Sequence, residues 1–263
     1  MSRLQTATSP ATLMLLVASA GFVGIADAAT WSVEPDGSGD APTIQAAIDA
    51  AAAGDEILLS TGVFTGPGNR DIEGRGKSLT IRGDGAAPSD CVIDCEASTG
   101  AERRGFYFHE GEGPGTVLEN LTVRNGIAPS TQPNEWGGGI LCVDSSPTIR
   151  NCRFVANQAG WGGGMLFWNS ESEVSDCWVA DNHAYTNGGG IYCTTGAAPT
   201  LRGMTLVGNV TDGRGGALVV NSCAPTLEAS TVHQNSASSS GSFVWTLGPA
   251  ALQVRHCIVG EGN

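Results

Sequence analysis

Trp136 and Trp161 stand 25 residues apart, and each sits immediately before a run of three glycines, 137–139 and 162–164. Tyr185 occupies the loop that corresponds one interval later. Flat aromatic rings set in a row suit the apolar faces of sugar rings, and rings repeated at a constant interval can follow an extended chain. The same rings also serve as packing filler under projecting loops. Trp136, Trp161 and Tyr185 are therefore candidate carbohydrate contacts, with packing as the competing use.

Other chemistries find weaker footing. Asp176 and Asp181 are five residues apart, but Gly203 and Gly208 stand at the matching positions one interval on. Carboxylates thus do not accumulate for a hard cation, which takes six or more oxygens. His109, His183, His233 and His256 show no zinc-ligand spacing, and the cysteines form no C-x-x-C pair. No metal and no cofactor is expected. "GEGPGT" over 111–116 lacks the lysine and the strand–loop–helix setting of a phosphate loop, and reads as a turn.

The interval that places the tryptophans runs through the chain. Glycine-rich triplets begin at Gly137, Gly162, Gly188 and Arg214, in steps of 25, 26 and 26 residues, with a weakened copy at Ser240. An apolar-x-x-Asn motif travels with them and ends at Asn157, Asn182, Asn209 and Asn235; Asn125 and Asn263 extend the series. A third marker, Pro-Thr-aliphatic, begins at Pro147, Pro199 and Pro225. Between the markers lie short alternating strands and polar turns, with no room for a helix of ordinary length. Each unit is one coil of a solenoid, stacked on the next at the inter-strand spacing of ~4.8 Å. The expected fold is all-β: a single-stranded parallel β-helix of 25–26 residues per coil, right-handed by the rule for parallel crossovers. The glycines read as tight corners where backbones of neighbouring coils approach.

Coil stacking gives the remaining marked residues their readings. Asn157, Asn182, Asn209 and Asn235 fall at one corner, where inward amides can bond the backbone of adjacent coils as an asparagine ladder. Cys152 and Cys177 occupy the same place in successive coils, where a disulfide and a pair of stacked thiols are equally compatible with the spacing. Cys91 and Cys95 read as a local bridge, whereas Cys142 and Cys193 are two coils apart and too distant to bond.

Both ends differ from the middle. Residues 42–54, "PTIQAAIDAAAAG", carry Ile44, Ala47, Ile48 and Ala51 on one helical stripe, with Pro42 at the first helical position and Gly54 past the end. This helix is expected to cap the open edge of the first coil. Residues 1–28 read as a secretory signal, with an apolar stretch over 11–26 and a small-residue cleavage site at 26–28. The mature chain, 29–263, is one β-helix domain with an N-terminal cap over 29–66 and regular coils over about 117–263. It stops in phase with the repeat, so truncation of a longer protein is expected, with a downstream domain or chain covering the last coil. No later segment is long and apolar enough to span a membrane, which places the protein in a secreted or cell-surface location. The net charge of −13 argues against a nucleic-acid partner.

Residues 36–66, "DGSGDAPTIQAAIDAAAAGDEILLSTGVFTG", resemble the opening segment of pectin-lyase-like right-handed β-helix proteins, the superfamily of pectinesterases, polygalacturonases and pectate lyases. The pairing of Gly137–Ile140 with Phe154–Asn157, GGG-I with F-x-x-N, is similar to repeats of polymorphic outer-membrane and adhesin-type β-helices. The resemblance implies a right-handed β-helix over 31–263 and a polysaccharide setting. It does not extend to catalytic motifs: the "DFIFG"- and "LGRPW"-like segments of pectinesterases and the "NTD", "DD", "GHG" and "RIK" motifs of polygalacturonases are absent. A lyase would imply Ca²⁺. The chain reads as a binding or adhesion scaffold for a polysaccharide or cell-surface glycan. The alternatives are a polysaccharide-degrading enzyme with divergent catalytic residues, or with those residues in coils missing from this sequence, and a purely structural stalk.

Overall fold

Every strand pairing between successive coils is parallel, and the coil repeats one order of strands. Thr148–Arg150, Arg153–Val155, Gln158–Trp161 and Met165–Trp168 are followed by Glu173–Ser175, which lies on Thr148–Arg150. This computed structural model describes residues 28–128 and 135–260. The leader expected over 1–28 therefore lies outside the described residues except for Ala28, as does Asn263. Stacked coils build sheets of nine, eight and seven strands, with a four-stranded sheet at one corner.

Alternation along each short strand sends one set of side chains inward. Ile149, Val174, Leu201 and Leu227 form one interior row, in register. Phe154, Val179, Leu206 and Val232 form another. All eight are buried. Burying each such side chain contributes ~2 kcal/mol, so the interior rows drive coil stacking while the backbone ladder sets its spacing.

The coil is less uniform than the glycine count implies. Ile140, Met165, Ile191, Leu218 and Val244 are register partners, so successive coils advance by 25, 26, 27 and 26 residues. The fourth corner triplet is Gly215–Gly216–Ala217, one residue later than the Arg214 start read from the sequence. Arg214 instead pairs with Asn187 and Ser240 in the row before the glycines. A register shift between Ala159 and Trp161, opposite Ala184 and Asn187, absorbs one of the extra residues. At the corner itself two glycines have separate reasons. Gly162 has φ +64°, and a Cβ on Gly163 would collide with the carbonyls of His183 and Gly189.

The asparagines at the opposite side of that corner are fully or nearly fully buried. Asn182 Nδ2 donates to Phe154 O and to Asn209 Oδ1, both at 2.9 Å. Its Oδ1 accepts from the Asn157 backbone N–H at 2.9 Å and from Asn157 Nδ2 at 3.1 Å. Asn209 and Asn235 repeat the pattern, with Asn209 Nδ2 to Asn235 Oδ1 at 2.9 Å. Each amide thus satisfies backbone groups that the corner would otherwise leave buried without partners.

The N-terminal helix is α1, Ile44–Ala50. Its N-cap is Thr43, whose Oγ1 accepts from the Ala46 N–H at 3.2 Å, so Pro42 precedes the cap and does not occupy the first helical position. The helix ends at Ala51 instead of running to Gly54, because Lys77 Nζ takes the carbonyls of Ile48, Asp49 and Ala51 at 2.7, 2.9 and 2.8 Å. Ile44, Ala47 and Ile48 are buried against the first coil. At the other end Val254 and Val259, register partners of the buried Leu227 and Val232, are exposed.

All eight cysteines are free. Cys91 and Cys95 do not form the local bridge: Cys91–Asp94 is an extended strand, and four extended residues span ~13 Å, beyond disulfide reach. Cys152 and Cys177 stack as thiols, the Cys152 N–H donating to Cys177 Sγ at 3.4 Å. Burial pushes the Cys91 thiol up to about 12 and Cys223 to about 11, and raises Cys95, Cys142, Cys152 and Cys193 as well.

Two measurements check this fold. Asn182→Ala removes four hydrogen bonds and strands buried donors and acceptors, so denaturant unfolding should show a loss of ~3 kcal/mol; a loss within experimental error would contradict the ladder's role. Because the thiolate is the reactive form, a thiol reagent at mildly alkaline pH should label only Cys257 in the native protein and all eight cysteines after unfolding without reductant. Fewer than eight after unfolding would reveal bonds that the fold lacks.

Candidate functional site

On the seven-stranded sheet, the residues that alternate with the core point outward. In Ile140–Val143, Ile140 and Cys142 are interior while Leu141 and Val143 face out. The sheet register then stacks Tyr107, Leu141, Leu166, Tyr192, Val219 and Trp245 into one outward row. A second row beside it holds Val143, Trp168, Thr194, Asn221 and Leu247. A third, preceding the glycine corner, holds Trp136, Trp161, Asn187, Arg214 and Ser240. The central row is short-chained at Leu141, Leu166 and Val219, and bulkier side chains flank it, so the face is a groove along the solenoid axis.

The groove is deepest around Trp161, Leu166, Trp168 and Tyr192, where a cleft of about 360 Å³ opens to solvent. Trp136 from one flank stacks on Trp168 from the other, with ring centroids 4.8 Å apart and planes at 17°. Both rings are half-buried, as is Trp161. Asn221 Nδ2 donates to the Tyr192 hydroxyl at 3.0 Å, and burial raises the pKa of that hydroxyl. Further along, the Arg214 guanidinium lies over the Trp245 ring at 4.7 Å, a cation–π contact. The lining therefore combines flat apolar faces with hydroxyl and amide groups.

A buried arginine holds the tryptophan corner from behind. Arg104 Nη2 donates to Trp136 O at 2.7 Å and its Nε to Gly137 O at 2.8 Å. Its guanidinium also lies 5.2 Å from the Tyr107 ring centroid. Burial pulls its pKa down to about 10, far enough above neutrality for it to stay charged and keep both carbonyls.

Of the aromatic residues marked in the sequence, the structure brings Trp136 and Trp161 together as register partners. It does not bring Tyr185 to them. Asn187 holds the place after Trp161, because the register shift pushes Tyr185 onto the corner sheet. There Tyr185 is 52% exposed, donates its hydroxyl to Gln158 Oε1 at 2.6 Å and lines a separate hollow with Glu135 and Gly160. Trp168, Tyr192 and Trp245 were not singled out. The run Met165–Trp168 looks uniformly apolar, yet only Met165 and Phe167 point inward. Strict alternation from the glycine corner would have marked Leu166 and Trp168 as outward.

The nine-stranded sheet presents a different outer face. Its outward row reads Arg82, Glu119, Arg150, Ser175, Arg202, Glu228, Arg255. Arg82 pairs with Glu56 at 2.8 Å and Arg150 with Glu119 at 2.9 Å, so acids alternate with bases instead of converging. Asp176 and Asp181 lie at opposite ends of the strand Trp178–Ala180 and form no common site.

Comparison with known proteins follows the architecture. A family model for a right handed beta helix region matches residues 68–237. No curated protein matches the sequence. Among solved structures the chain is similar to the pectate lyase Pel9A, with a TM-score of 0.57 and 16% identity over 91% of this chain and 64% of that one. It is also similar to YbhC of Escherichia coli, with a TM-score of 0.59 and 14% identity over 98% and 76% of the two chains. A pectin methylesterase from carrot gives a TM-score of 0.52 and 11% identity over 88% and 82%. Likeness at this identity is one of fold, and the chain spans 64% of the length of the pectate lyase.

Proposed function

This chain belongs to the right-handed β-helix family, and from that premise we propose that it is a carbohydrate-binding scaffold whose ligand lies along the groove of the seven-stranded sheet. The observation that carries the reading is the outward aromatic row, Trp161, Tyr192 and Trp245, fixed to the solenoid by sheet register. Successive coils offer a face every ~4.8 Å, close to the rise of one sugar residue in an extended polysaccharide. Tyr192, Asn221 and Thr194 supply hydrogen-bonding partners beside the rings.

The ligand class in this reading is a neutral polysaccharide. A net charge of −13 repels a polyanion, and among the described groove residues Arg214 is already engaged with Trp245. The enzymatic alternative has less support, because the carboxylates Glu119 and Glu56 on the nine-stranded face are paired with arginines. Residues 11–26 support export, which would expose the domain to extracellular glycans.

The test is retention by a panel of neutral and acidic polysaccharides in affinity electrophoresis. Wild-type protein should be retarded by at least one neutral polysaccharide. The double variant W136A/W161A should lose that retardation by at least ~10-fold in affinity, with its circular dichroism unchanged, while Y185A should bind as wild type. Equal retardation of W136A/W161A and wild type, or none of wild type by any polysaccharide, would overturn the groove reading. Release of reducing ends during the same incubations would turn it toward an enzyme.

A further inference from the structure

Beyond Tyr107 the outward row of the seven-stranded sheet continues to Glu73, its register partner on the strand Ile72–Glu73. There the side chains of Glu73, His109 and Glu110 bring one ligand atom each within 4.8 Å of one another. Glu73 and His109 are half-buried and Glu110 is exposed. His109 Nε2 faces Glu73 Oε1 at 3.9 Å, too far for a hydrogen bond, and this buried nitrogen has no hydrogen-bond partner. A buried polar atom left without a partner calls for an explanation.

The surroundings hold these groups in place. The His109 ring stacks on Tyr107 with centroids 3.9 Å apart and planes at 19°, which fixes its orientation. The Glu73 backbone N–H donates to Gln45 Oε1 at 2.8 Å, tying its strand to α1. The Glu110 backbone N–H donates to Glu112 Oε2 at 2.9 Å. Glu112 is buried and anchored by Ser145 Oγ at 2.9 Å and the Gly76 N–H at 3.0 Å. Glu112 thus braces the loop without joining the cluster. In the cation-free arrangement Arg75 pairs with Glu73 and also with Asp49, the latter at 3.1 Å.

We propose that Glu73, His109 and Glu110 form a binding site for a divalent first-row transition metal, of which Zn²⁺ is the fitting representative. One imidazole nitrogen and two carboxylates are a borderline donor set that suits Zn²⁺ better than Ca²⁺, which takes six or more oxygens. A cation here gives His109 Nε2 the partner it lacks. It also draws Glu73 away from Arg75, which keeps Asp49 as its counterion. Arg75 is therefore a competitor for the site, and its removal should strengthen metal binding. The residues come from adjacent coils, so linear spacing of histidines and cysteines could not reveal them. This inference does not rest on the carbohydrate reading, and failure of either leaves the other standing.

Calorimetric titration of the chelator-treated protein with Zn²⁺ alone tests the site. Wild type should bind one ion per chain. H109A and E110Q should each weaken binding by at least ~10-fold, and R75Q should tighten it severalfold. A second readout needs no variant: Co²⁺ should broaden the NMR signals of His109 and Tyr107 before those of any other ring. Absence of Zn²⁺ binding by wild type, equal affinity in H109A, weaker binding in R75Q, or Co²⁺ broadening centred elsewhere would each overturn the proposal.

Discussion

The amide of each buried asparagine bonds both its own coil and the next, and the whole architecture is keyed to that interaction. Asn182 Oδ1 takes the backbone N–H of Asn157 while Asn182 Nδ2 reaches Phe154 O and Asn209 Oδ1. A sharp corner must leave backbone groups without strand partners, and burial makes unpaired groups costly. The ladder removes that cost at every coil and pins the corner to one residue position. Coils of 25, 26 and 27 residues can then stack without losing phase, because surplus residues are pushed into the turns between fixed points.

Once phase is held, the two faces of each short strand acquire different roles. Inward rows such as Phe154, Val179, Leu206 and Val232 supply the burial that stabilises stacking. Outward rows repeat at the coil spacing and are free to carry recognition. On the nine-stranded sheet they alternate arginine with glutamate and neutralise one another. On the seven-stranded sheet they present tryptophan and tyrosine, with Arg104 clamping the corner that carries Trp136. The same rigidity that stabilises the fold thus presets the groove, and ligand binding need not order it.

Much of this was legible in the residue order. The glycine, asparagine and Pro-Thr markers recur because each answers a local demand of the corner or the strand start, so the solenoid and its asparagine ladder are visible in one dimension. The end of α1 was not, because a tertiary partner, Lys77, terminates it. The phase of Tyr185 was misread because a register shift of one residue is silent in an approximate repeat but moves a side chain to another face. Trp168 was hidden among core neighbours, since an unbroken apolar run conceals its own alternation. The cluster of Glu73, His109 and Glu110 spans adjacent coils and has no signature in linear spacing.

The central claim is that sheet register builds a sugar-binding groove from the outward face of the seven-stranded sheet. Its most direct test is a crystal structure of the protein soaked with an oligosaccharide of the polysaccharide it retains. The account predicts sugar rings in the groove, stacked on Trp161 and hydrogen-bonded near Tyr192 and Asn221, with the chain running along the solenoid axis. Density for the sugar on the arginine–glutamate face of the nine-stranded sheet, with the groove empty, would contradict it.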